Sequence, residues 1–61
     1  MASYCQELRN AITNINQALN TLTTARSLST RASTRRTLNR NISTLRAVRT
    51  SKRRLLSRTC S

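Results

Sequence analysis

Two cysteines, Cys5 and Cys60, and twelve cations, eleven of them arginine, are the residues of this 61-residue chain that have chemistry to offer. Thiols oxidise in pairs or ligate metals, and a guanidinium holds phosphate through a planar fork that does not titrate away. The rest of the catalytic repertoire is missing. Glu7 is the one acidic side chain, and His, Asp, Gly and Pro are absent. Two thiols and one carboxylate do not make the four ligands of a structural metal site. A paired acid and base is lacking, and the many Ser and Thr hydroxyls have no activator. Without glycine, neither a phosphate-cradling loop nor a dinucleotide fingerprint can be built. The expectation is a chain that is not an enzyme and takes no cofactor, metal or small-molecule substrate.

The cysteines lie near the two ends, and the apolar positions between them fold back on one another. Leu8, Ile15, Leu19 and Leu22 meet Leu56, Arg49, Leu45 and Ile42 if the numbers of facing residues add to 64. Cys5 and Cys60 add to 65, within the slack of an antiparallel helix pair. This register predicts an all-α fold, an antiparallel two-helix hairpin forming a single domain over 1–61. It consists of a helix over about 3–28, a turn over about 29–36 centred near Ala32, and a helix over about 37–59, with a Cys5–Cys60 disulfide closing the open end. Such a bond suits an oxidising compartment, an extracellular particle or a hyperthermophilic cytosol. A chain this short, with Tyr4 as its one aromatic residue, has a thin core that a staple would support.

In the first half Cys5, Leu8, Ile12, Ile15, Leu19 and Leu22 follow the alternating three-and-four spacing of a helix seam, widened by Ala11, Ala18 and Ala25. Ser3 fits an N-cap, Gln6 stands where a capping box places its partner, and Glu7 sits in the first turn. Asn10, Asn14, Asn16, Gln17, Asn20 and Thr21 are read as the opposite, uncharged face.

Residues 29–37 carry no apolar stripe and are rich in hydroxyl residues that compete for backbone hydrogen bonds. A turn belongs there, yet none of the usual turn residues marks it. One continuous helix is therefore the alternative. Two long helices would then form an antiparallel dimer, with Cys5 of one chain bonded to Cys60 of the other.

The second helix is expected to present Leu38, Ile42, Leu45, Val48, Leu55 and Leu56 as its stripe, with Arg49 and Lys52 interrupting it. Their stems can cover apolar surface while the charged heads reach the edge, or the heads can meet phosphate beside the seam. At 100 degrees per residue, Arg36, Arg40, Arg54 and Arg58 project directly away from the stripe, and Arg35, Arg46 and Arg53 flank it.

The net charge of +11 is divided unevenly, with +1 over residues 1–30 and +10 over residues 31–61. Charge of this size attracts polyanions. Nucleic acid is the expected partner, met through phosphates by Arg35, Arg36, Arg40, Arg46, Arg49, Lys52, Arg53, Arg54 and Arg58. One aromatic ring gives little base stacking, which favours double-stranded DNA over single strands and binding without sequence specificity. A basic amphipathic helix can also lie on anionic lipid, but the stripe is narrow and lacks Trp and Phe anchors. No segment reads as a membrane span or a cleavable signal, and the basic bias at the C-terminal end does not match a mitochondrial targeting peptide. Ser27 and Ser33 beside arginines could be phosphorylated, which would weaken anion binding.

A hairpin leaves each stripe partly uncovered, and repetition of the unit would complete the burial. The reading that follows is a small structural protein in many copies around nucleic acid, as a viral coat or nucleoprotein component is, located in a virion or other nucleoprotein particle. In plan alone this is similar to the small helical coat proteins of filamentous and rod-shaped viruses. The alternatives are a single-copy basic accessory subunit of a large ribonucleoprotein such as a ribosome, and a cationic membrane-active peptide.

Overall fold

A computed structural model describes residues 3–60 as two helices, α1 (Tyr4–Leu28) and α2 (Ala32–Cys60), packed antiparallel and joined by residues 29–31. The start of α1 follows from its residues. Ser3 is extended and its hydroxyl accepts from the Gln6 N–H at 3.1 Å, with Glu7 in the first turn beside the positive end of the helix dipole. The Gln6 side chain donates forward to Asn10 Oδ1 at 3.1 Å.

The chain turns without a left-handed residue. No described residue has positive φ, and Ser29 is extended, with its N–H donating to the Arg26 carbonyl at 3.3 Å. This explains how a sequence with no Gly, Asn or Asp at that point still reverses direction. The turn is shorter than its expected span of 29–36, because α2 already begins at Ala32. Arg35 N–H donates to the Arg31 carbonyl at 3.0 Å, and the Thr37 hydroxyl bonds the Ser33 carbonyl at 3.2 Å. One of the hydroxyls counted as helix competitors, that of Thr37, is thus satisfied inside the helix, and Arg and Ala have good intrinsic propensity.

Three cross-helix links fix the register: Cys5–Cys60, Asn16–Arg49 and Arg26–Asn39. The numbers of each pair add to 65, one more than the 64 of the apolar pairing. In this register Leu28 stands opposite residue 37, so residues 32–36 overhang the end of α1. All of them are exposed. That first turn of α2 has nothing to pack against, which is why no apolar stripe announces it.

The core is thin. Leu8, Leu19 and Ile42 are buried, with Ile42 at 1 % exposure. Cys5, Ile12, Ile15, Leu22, Leu38, Leu45 and Leu56 are half-buried along the same seam. Val48 and Leu55, read as part of the stripe, are exposed at 38 % and 37 %. A single partner helix covers a narrow strip, and these two side chains lie beyond its edge. The accessible surface of 4724 Å² exceeds the roughly 4,000 Å² of a compact globule of this mass.

The open end is closed by the intrachain Cys5–Cys60 disulfide, whose Cα atoms are 5.8 Å apart. It joins residues 55 apart in sequence. On a chain-entropy account such a link adds about 4 kcal/mol by restricting the unfolded chain. With three side chains buried among the described residues, a link of that size is a large share of the stability.

Candidate nucleic-acid interface

The seam fixes where every cation on α2 points. Side chains at Leu38, Ile42, Leu45, Leu56 and Cys60 face α1, so positions half a turn away face solvent. Arg36, Arg40, Arg54 and Arg58 occupy this outer face, and all four are exposed. Arg35, Arg46 and Arg53, also exposed, line one flank of the seam. The opposite edge of α2 runs through Thr37, Thr44, Val48 and Leu55 and holds no arginine.

Seven of the nine expected contact residues are therefore exposed on α2, four on its outer face and three along one flank of the seam. Arg49 and Lys52 stand apart, half-buried at the seam. Arg49 donates from Nη1 to Asn16 Oδ1 at 2.8 Å, while its Nε is buried without a hydrogen-bond partner. Asn16, grouped by the sequence with the solvated face of α1, is half-buried and turned toward α2. Its 100-degree projection puts it on the flank of the seam, the signal that could have found it. Lys52 lines an open hollow of about 330 Å³ with Tyr4, Glu7, Leu8 and Ala11. This hollow lies on the arginine-free edge.

Arg26 is half-buried and bonds Asn39 Oδ1 at 2.9 Å, a polar link near the turn that sequence reasoning did not identify. Seven hydroxyls are engaged within their own helices. Thr13, Thr21, Thr23, Ser27, Thr37, Thr44 and Thr50 each donate to the carbonyl four residues earlier. Both cysteines are in the disulfide, and no group of three potential metal ligands comes together among the described residues. No helix among the described residues is long and apolar enough to cross a membrane.

The arrangement can thus do one kind of chemistry: hold several anionic groups at once on a rigid rod, through guanidinium donors that have no carboxylate neighbours on α2. Compared with known protein families, curated protein sequences and solved structures, the chain matches none.

Proposed function

We propose that this chain is a small basic structural protein that binds nucleic acid through phosphates, without sequence specificity, and assembles in many copies around it as a viral coat or nucleoprotein component. The observation that carries this reading is the surface of seven exposed arginines on α2, a helix with no acidic residue. A compact core gains nothing from such a field, whereas a polyanion with a condensed counterion atmosphere does.

Charge and size together support assembly in copies. The molecule extends 43 × 19 × 13 Å. At one charge per 1.7 Å of axis, a duplex of that length carries about 25 negative charges. A single chain brings +11. About two chains side by side over each such length are needed to match the duplex. The arginine-free edge, with Val48 and Leu55 exposed on it, lets neighbouring copies approach without guanidiniums facing each other.

The test is a salt titration of duplex binding. If about six phosphates are neutralised, log affinity falls with log salt at a slope near −5. Replacing Arg40, Arg54 and Arg58 together by Gln should weaken binding and flatten the slope by about 2 to 3. Affinity and slope that do not respond to these replacements, or binding to anionic vesicles in preference to nucleic acid, would refute the reading.

A further inference from the structure

The outer face of α2, read along its length, is Arg36, Arg40, Ser43, Ala47, Ser51, Arg54, Arg58, and every one of these residues is exposed. The order is a palindrome. Each residue on one side of Ala47 has its own type at the mirrored position on the other. Two arginine pairs therefore bracket a saddle of small side chains. At 1.5 Å rise per residue the inner arginines, Arg40 and Arg54, stand about 21 Å apart along the axis, and the pair centres about 27 Å. The outward face of α1 repeats none of this, since Gln6, Asn10, Gln17 and Thr21 there are uncharged.

Resting on the nucleic-acid reading above, we infer that this stripe is a clamp for B-form double-stranded DNA. Arg36 and Arg40 hold the phosphates of one groove rim, Arg54 and Arg58 hold those of the other, and Ser43, Ala47 and Ser51 lie over the groove between them. The major groove is about 12 Å wide between phosphate rows. The inner arginines start outside both rims and reach them with their long, flexible side chains, while the small residues allow the helix backbone to come close. Larger side chains in the middle would hold the helix off before the arginines reached.

The mirror order matches the partner. The two strands of a duplex run in opposite directions, so a groove has local two-fold axes across it and presents the same phosphate geometry from either end. Arginine pairs at mirrored positions offer cations at the same spacing in both orientations, which suits binding that reads no sequence. A-form RNA has a deep, narrow major groove and sets its phosphate rows differently. A single strand has one flexible row and imposes no fixed span. Spacing at constant charge therefore distinguishes this clamp from a diffuse field.

The experiment moves one arginine without changing net charge. R40Q/S43R, and its mirror image S51R/R54Q, shift a cation from the rim into the saddle at exposed positions. Melting curves first confirm that both variants are folded. Affinity is then measured at fixed salt for a 20-base-pair DNA duplex, an RNA duplex of the same length and the corresponding single-stranded DNA. The expected result is roughly tenfold weaker binding to duplex DNA for each variant, with less than about twofold change on single strands and duplex RNA. If the native chain binds duplex DNA and both variants bind it equally well, the clamp is wrong and only the summed charge matters. An equal loss on all three nucleic acids would also overturn it. A native chain that binds none of the three would instead overturn the nucleic-acid reading itself.

Discussion

The Arg49 guanidinium donates to Asn16 Oδ1 at 2.8 Å, tying a cation inside the seam of α2 to an amide on the flank of α1. A charge at a seam position is costly unless it escapes or is bonded. Here Asn16 takes one N–H, and the Nε remains buried without a partner. The link sets the helix register but is a weak source of stability.

Removing each partner should therefore have opposite consequences. Asn16→Ala leaves the guanidinium without its acceptor and should destabilise the fold by about 1–3 kcal/mol. Arg49→Met fills the same seam position with an apolar side chain and should be neutral or stabilising. Urea unfolding of the two variants checks this, and a larger loss from Arg49→Met than from Asn16→Ala would contradict it.

The disulfide should dominate stability. Converting Cys5 and Cys60 to Ser, or reducing the native chain, is expected to cost about 4 kcal/mol. Circular dichroism melts with and without reductant measure the effect. Coincident melts would show that the two helices hold together without their clasp.

Burial along the stripe predicts an uneven mutational response. Ile42→Ala should cost about 2–4 kcal/mol and, with so few other buried side chains, leave much of the chain unfolded. Val48→Ala, on an exposed position of the same helix, should change stability by less than about 0.5 kcal/mol. Similar midpoints for the two variants would mean that the seam lies elsewhere.

The early start of α2 can be probed with proline. Ala32 is the first residue of the helix, a position that tolerates Pro, so Ala32→Pro should leave stability near the native value. Arg35→Pro removes the N–H that bonds the Arg31 carbonyl and should cost up to about 3 kcal/mol. If both substitutions were harmless, residues 32–36 would belong to a loop.

The hairpin, its seam and its clasp were legible because each rests on spacing. Cys5, Leu8, Ile12, Ile15, Leu19 and Leu22 keep helical period, and their partners mirror them to within one residue. The short turn was not legible, because the overhanging residues 32–36 are exposed and leave no apolar pattern. Asn16 was hidden by its polarity, since amides are usually assigned to solvent. Val48 and Leu55 were apolar yet uncovered, because hydropathy marks what can be buried and not how wide the partner is. The arginine surface was visible in composition, and its division into an outer face and an edge in the helical projection. The palindrome around Ala47 emerges only when the outer face is read by itself.

Whether copies of this chain cover nucleic acid is read from the mass of the complex formed on DNA duplexes of increasing length. Several chains per duplex are expected, with the number rising in proportion to length at about two chains per 43 Å. A single chain bound whatever the length, or no complex at low salt, would contradict such coverage.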